Sequence, residues 1–150
     1  MGQPPAAFLH LIVGFDGSPP AVRALDGAAN LLRGRQGRLE VVYVAHLSSV
    51  AMLSADAIAE IESDFDDIQR ELRDQVAERL SGREVAWELR RRQGIIPDEL
   101  IAAATATRDA HPGDTVVIVV GSSSHATHRI VGSVAVSLAR HSPVPLIIVP

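Results

Sequence analysis

The sequence predicts one α/β domain, spanning residues 1–150, in which a five-stranded parallel sheet lies between two layers of helices. Short apolar segments typical of buried strands alternate with longer segments whose apolar residues recur every three or four positions. The chain has 150 residues, 47% of them hydrophobic, which fits a single core. The alternation requires crossovers between parallel strands, and we therefore expect a three-layer sandwich.

Five segments have the composition of strands. The fourth consists of six β-branched residues, which is too short and too branched for an isolated helix and predicts a central strand. The third alternates as REVAWELRR, which predicts a half-exposed edge strand with charged side chains outward. The predicted strands are Phe8–Val13, Leu39–Ala45, Arg83–Arg91, Thr115–Val120 and Pro145–Val149.

Four segments between the strands have helical periodicity. Ser18 before two prolines is a strong helix start, because the hydroxyl caps the helix and the prolines occupy positions that need no N–H donor. Ser133 is the predicted cap of the last helix. The predicted helices run from Ser18 to near Gly34, from Ala55 to Leu80, from Asp98 to about Thr107 and from Val134 to Arg140.

Composition argues against several classes of function. A net charge of −4 disfavours nucleic-acid partners, since phosphate backbones require a basic surface. No signal-like start and no apolar stretch of membrane-spanning length is present, and we expect a cytoplasmic protein without a membrane partner. With no cysteine, and six histidines that lack metal-binding spacing, no metal site is expected.

The loop Gly121–Ser133, GSSSHATHRIVGS, follows the most apolar strand and opens the last helix. A Gly-Ser-rich turn at such a junction directs backbone N–H groups toward an anionic ligand such as phosphate. In parallel sheets the ligand lies beyond the carboxyl ends of the strands, where the loop Phe15–Ser18 after the first strand also lies. The sequence therefore predicts a nucleotide-binding or nucleotide-derived domain.

Six pieces of the chain, in their order and spacing, resemble the universal stress protein family. They are LIVGFDGS, VVYVAH, a long acidic helix, the step Gly94–Pro97, VVIVVGSSS and GSVAVSLARHSPVPLIIVP. The resemblance covers nearly the whole chain. It implies a Rossmann-like, adenine-nucleotide α-hydrolase-like fold with strand order 3-2-1-4-5. It also implies non-catalytic binding of ATP or AMP in stress signalling, with Mg²⁺ only if ATP is bound.

The resemblance also implies a phosphate loop of the form G-x2-G-x9-G-[S/T]. Gly121 is similar to its first glycine and Gly132-Ser133 to its last pair. Ser124 stands where the second glycine belongs, and the spacer to Gly132 is two residues shorter than the pattern. Glycine there permits positive φ and close approach to phosphate. An alternative is therefore a nucleotide-free dimeric interaction module of the same family.

The other binding residues are implied by position. Asp16 matches the acidic residue near the adenosine, Phe15 precedes it in the purine pocket, and the backbone of Val44 reads adenine. Asp16 has a second interpretation, as a cap of the loop before Ser18. Arg129 either offsets the missing glycine near the phosphates or pairs with an acid, and His125 and His128 are interpreted as solvated. The predicted nucleotide-binding residues are Phe15, Asp16, Val44, Gly121, Ser122, Ser124, Arg129, Gly132, Ser133 and Val134.

Nothing in the sequence favours catalysis. The chain has no GxxxxGK[S/T] loop and no GxSxG elbow. An adenylate-forming enzyme of the wider α-hydrolase-like group would carry an SGGxDS-type loop after the first strand, which FDGSPP does not supply. We expect a homodimer that pairs through Pro145–Val149, because this apolar strand would need covering at a sheet edge. We also expect a protein partner, which the sequence does not identify.

Overall fold

Strands and helices alternate in the part of the chain that the structure describes. The computed structural model describes residues 2–3, 6–46, 53–123 and 132–150. Among these residues, no helix combines the length and the apolar composition needed to cross a bilayer. The elements are β1 (Leu9–Gly14), α1 (Pro19–Leu31), β2 (Gly37–Ala45), α2 (Ala55–Arg79), β3 (Ala86–Gln93), α3 (Ile96–Ala110), β4 (Thr115–Gly121), α4 (Ser133–His141) and β5 (Leu146–Val149).

The five strands form one parallel sheet in the order β3-β2-β1-β4-β5. This confirms the predicted fold class and strand order. β1 is central, and its residue Leu9 pairs with Gly37 of β2 and with Thr115 of β4. The strand order reverses between β1 and β4, so the loops that follow these two strands diverge to opposite faces and leave a crevice between them.

Several predicted boundaries differ from the structure by a few residues. β3 starts and ends later than predicted because it pairs along β2, from Ala86 opposite Arg38 to Gln93 opposite Ala45. α3 begins two residues early, since Pro97 fits the first turn of a helix. Ser133 is the first residue of α4 and not its cap; Gly132 is the cap residue, without a side-chain hydrogen bond.

The core consists of two clusters, one on each face of the sheet. Alternation along β1 directs Leu11 and Val13 toward α1 and α2, and Ile12 toward α3 and α4. Leu100 of α3 and Leu138 of α4 are almost completely buried on the second face. Both faces are therefore covered, which explains why the strands are nearly continuous apolar runs.

The end of β4 lies directly against the start of α1. A Cβ atom on Gly121 would overlap the backbone carbonyl of Pro20 and would lie 2.9 Å from its Cα atom. The next residue, Ser122, donates its N–H to the carbonyl of Val149 at 2.8 Å and accepts from the Arg23 guanidinium at 3.2 Å. Only glycine at position 121 permits this approach.

Replacement of Gly121 by alanine should destabilise the fold, because the added methyl group meets backbone atoms that have no room to move. We expect Gly121→Ala to lower the free energy of unfolding by about 3 kcal/mol. Gly14→Ala is the matched control, since its Cβ would meet only side chains, the nearest being Leu100 at 3.2 Å, and should cost about 1 kcal/mol or less. Urea denaturation measures both, and equal losses would contradict the argument.

A carboxylate on α1 joins this helix to the end of α2. Asp26 accepts hydrogen bonds from the Arg79 guanidinium, with Nε 2.9 Å from Oδ1, and Arg83 lies 3.5 Å from the same oxygen. The hydrogen bond to Arg79 lowers the pKa of the Asp26 carboxyl below its ordinary value, against the opposing effect of partial burial. Folding therefore favours the charged form of Asp26.

This pair should make stability depend on pH. Because the pKa of Asp26 is lower in the folded state, its contribution is complete above the ordinary carboxyl pKa and is lost as pH falls through the folded value. Asp26→Asn should reduce the urea midpoint at pH 7 and have progressively less effect in acid. Asp67→Asn, which removes an exposed pair with Arg70 inside one helix, is the control and should change the midpoint little. An Asp26→Asn effect that is independent of pH would contradict the assignment.

Candidate functional site

A cavity of about 320 Å³ opens at the carboxyl ends of β1 and β4, within the crevice where the strand order reverses. Its volume lies at the lower end of the range of roughly 300–1,000 Å³ that is usual for small-molecule sites. The residues that line it are Gly14, Phe15, Asp16, Ser18, Pro20, Ala21, Val42, Val44, Ile96, Leu100, Val120, Gly121, Ser123, Gly132, Ser133, Val134 and Ala135.

One part of the cavity wall is apolar and comes from the sheet and α3. Val42 and Val44 are two residues apart on β2 and therefore share a face, and Val120 lies at the end of β4. Leu100 and Ile96 are four residues apart on α3 and lie on the same side of that helix. This wall suits a flat apolar group such as a purine ring.

The turn between β1 and α1 contributes an ionisable residue, Asp16, to the lining. Asp16 Oδ1 accepts the N–H of Ser18 at 2.9 Å, and Ser18 in turn caps α1 through the N–H of Ala21 at 3.4 Å. The capping interpretation of Asp16 is therefore present. The side chain is nevertheless exposed and lines the cavity, so that its other oxygen is available to a ligand hydroxyl.

Phe15 lies at the inner end of the turn after β1. It lines the cavity but is only 4% exposed and belongs to the core cluster on the α1 and α2 face. Its backbone N–H donates to the carbonyl of Val42 at 2.9 Å. Phe15 thus fixes the turn that carries Asp16 and offers little surface to a ligand.

The amino end of α4 forms the opposite wall. Gly132, Ser133, Val134 and Ala135 all line the cavity, and the first helical hydrogen bond runs from Val136 N–H to the Gly132 carbonyl. The N–H groups of the first turn therefore have no partner within the helix. No acidic residue stands in this turn. The partial positive charge of a helix start makes it a site for an anion.

The first two serines after β4 have different environments. Ser122 does not line the cavity, since its backbone bonds to Val149 and Arg23 instead. Ser123 does line it, and a Cβ atom on Gly132 would overlap the Ser123 hydroxyl. The absence of a side chain at Gly132 therefore lets the two ends of the loop come together at the mouth of α4.

Seven of the ten sequence-predicted residues meet at this cavity. Ser122 does not, while Ser124 and Arg129, like His125 and His128, lie outside the described residues. Sequence reasoning missed several lining residues, among them Ser123, Ile96 and Leu100. Sequence spacing could have identified Val42, because it lies two residues from Val44 on β2 and therefore on the same face of the strand. The predicted residues that line the cavity are Phe15, Asp16, Val44, Gly121, Gly132, Ser133 and Val134.

The sequence matches the family model described as "Universal stress protein family" over residues 7–150. No curated protein sequence is significantly similar to the chain.

Solved structures of similar fold cover almost the whole chain. The universal stress protein UspA from Lactobacillus plantarum is 20% identical, with a TM-score of 0.73 and coverage of 97% of this chain and 99% of its own. A universal stress protein in complex with cAMP is 25% identical, with a TM-score of 0.60 and coverage of 97% and 99%. An Arabidopsis thaliana family member with AMP bound is 13% identical, with a TM-score of 0.64 and coverage of 94% and 90%. At their lower identities, the first and third show likeness of fold alone.

Proposed function

The chain belongs to the universal stress protein family, and we propose that it binds an adenine nucleotide, ATP or AMP, in the cavity described above without catalysing a reaction on it. The observation that carries this proposal is the pairing of an apolar wall with an anion-binding helix start across one small cavity. A purine fits the first and a phosphate fits the second.

The Asp16 carboxylate suits the ribose of such a nucleotide. Asp16 lines the cavity from the turn after β1, and one of its oxygens is already held by the Ser18 N–H. That bond orients the carboxylate, and the second oxygen remains as an acceptor for a ribose hydroxyl. The universal stress protein solved with cAMP, at 25% identity, supports a nucleotide of this class.

The lining also supports binding without turnover. Asp16 is its sole ionisable residue among the described parts of the chain, and no lysine, histidine or cysteine joins it there. Activation of a serine nucleophile requires an adjacent base, and among the described residues Asp16 accepts a hydrogen bond from the backbone N–H of Ser18 and from no serine hydroxyl of the lining. We therefore propose that the bound nucleotide is a signal passed to a protein partner in a stress response. The cytoplasmic location stays a prediction.

Binding should depend on the positive end of α4. We expect AMP to bind and Ser133→Glu to weaken it by at least about tenfold, because a carboxylate at this position stabilises the helix start but repels phosphate. Adenosine, which carries no phosphate, should bind Ser133→Glu and the unaltered chain alike. Isothermal titration calorimetry with AMP, with ATP plus Mg²⁺, and with adenosine measures all three.

Ser133→Gln is the matched control, since it has the size of the glutamate without its charge and should weaken AMP binding less. If neither AMP nor ATP gives binding heat at millimolar concentration, the nucleotide proposal is wrong. If Ser133→Glu and Ser133→Gln weaken AMP binding equally, the phosphate does not lie at the start of α4.

A second candidate is a dimeric interaction module that needs no nucleotide, and it is favoured by the exposed edge of β5. This four-residue strand is apolar throughout and only half-buried. The carbonyls of Pro145 and Val149 accept hydrogen bonds from the β4 side, so by alternation the backbone of Leu146 and Ile148 points away from the sheet. A second copy pairing across a two-fold axis would cover this edge.

Ile148→Pro should convert such a dimer to a monomer. The substitution removes an outward N–H group and leaves the bonds to β4 in place, as proline is tolerated at strand edges. Ile148→Val keeps the N–H and is the control that should remain dimeric. Light scattering after size exclusion at micromolar concentration gives the masses, and circular dichroism checks the fold. A monomeric unaltered chain would contradict pairing through β5.

A further inference from the structure

Three side chains that suit a metal ion meet at the end of the sheet opposite the cavity. His10 is the second residue of β1, His111 follows the last turn of α3, and Asp114 directly precedes β4. Each offers one ligand atom, and these atoms all lie within 4.8 Å of one another. His10 is 4% exposed, Asp114 is partly buried and His111 is exposed, so the group reaches from the core to the surface.

The backbone around the two later residues is held by a tight turn. Asp114 N–H donates to the His111 carbonyl at 3.1 Å, and Pro112 and Gly113 occupy the two positions between them. Gly113 has φ +95°, as the third position of a type II turn requires. The next residue, Thr115, donates to the carbonyl of Phe8 at 3.0 Å, which ties the turn to the start of β1.

The side chains are close to the spacing that a metal ion requires. His10 Nε2 and Asp114 Oδ2 are 2.8 Å apart, and the His111 ring stacks on the His10 ring with centroids 4.6 Å apart. Ligands on a tetrahedral zinc ion with bonds of about 2.0–2.1 Å are about 3.3 Å from each other. A rotation of the exposed His111 ring is therefore the main adjustment needed, and His10 and Asp114 separate by only about half an ångström.

We propose that His10, His111 and Asp114 bind one divalent ion of the zinc type. Two imidazoles and a carboxylate are typical ligands of Zn²⁺ and of Co²⁺, Ni²⁺ and Cu²⁺, whereas Mg²⁺ and Ca²⁺ prefer oxygen ligands. Three protein ligands leave a fourth position for water on the side of exposed His111. The bound ion links β1 to the turn between α3 and β4, across a sequence separation of 104 residues between His10 and Asp114.

This site is independent of the proposed nucleotide function, because it lies at the amino ends of β1 and β4 and shares no residue with the cavity. The competing explanation is that His10 and Asp114 form only a structural hydrogen bond, with His111 stacked beside it. The two explanations differ in the role of His111, whose side chain contributes a ligand in the first and is dispensable in the second.

The test uses the full chain without a histidine tag. We expect one equivalent of Co²⁺ to bind with the visible absorption of a tetrahedral site, Zn²⁺ to displace it, and Zn²⁺ to raise the melting temperature. His111→Ala should weaken Zn²⁺ binding by at least about tenfold, since even the loss of an outer-shell partner costs about 10–100-fold. It leaves the His10–Asp114 bond intact, so the metal-free chain should stay folded with a nearly unchanged melting temperature.

His141→Ala is the matched control, because it removes another exposed histidine, on α4. It should bind Zn²⁺ as the unaltered chain does. Asp114→Asn, which keeps an acceptor for His10, should also weaken Zn²⁺ binding. The proposal is overturned if no stoichiometric Co²⁺ or Zn²⁺ binding occurs, or if His111→Ala binds as tightly as His141→Ala.

Discussion

The close approach of β4 to α1 is the constraint on which the cavity at the carboxyl ends of the strands depends. Gly121 lies against the Pro20 backbone, and Ser122 is held by Val149 and Arg23 immediately afterwards. These contacts set how far the end of β4 lies from the turn that carries Asp16. Backbone packing thus fixes the part of the cavity wall that β4 and α1 form, and a preformed wall lowers the conformational cost of binding.

The parallel sheet gives the two ends of the same strands opposite chemistry. At the carboxyl ends of β1 and β4, the first turn of α4 lines the cavity, and its N–H groups, which have no partner within the helix, suit an anion. At the amino ends, His10 and Asp114 with neighbouring His111 suit a cation. A parallel strand places its preceding and following loops at opposite edges, so the two proposed sites do not overlap.

Local patterns predicted the fold well because the type of each element is indicated by local signals, even where a bound, as in β3, depends on pairing with a neighbouring strand. The β-branched run Thr115–Val120 and the Ser18 cap are such signals, and both elements formed as expected. The site was predicted less completely. Ser122 and Ser123 are adjacent serines that the local sequence does not distinguish, whereas in the structure Ser122 bonds to Val149 and Arg23 and Ser123 lines the cavity. His10 and Asp114 are 104 residues apart, so local spacing, which argued against a metal site, carried no information about their meeting.

The packing of Gly121 also changes what its presence means for function. A glycine at the start of a phosphate loop is usually explained by the approach of the ligand. Here the Pro20 backbone already excludes any side chain at this position, whether or not a nucleotide binds. The glycine is thus required by the fold in a nucleotide-binding chain and in a nucleotide-free one alike. The residues that distinguish the two are those that face the cavity with no such packing role, and Ser133 at the exposed start of α4 is foremost among them.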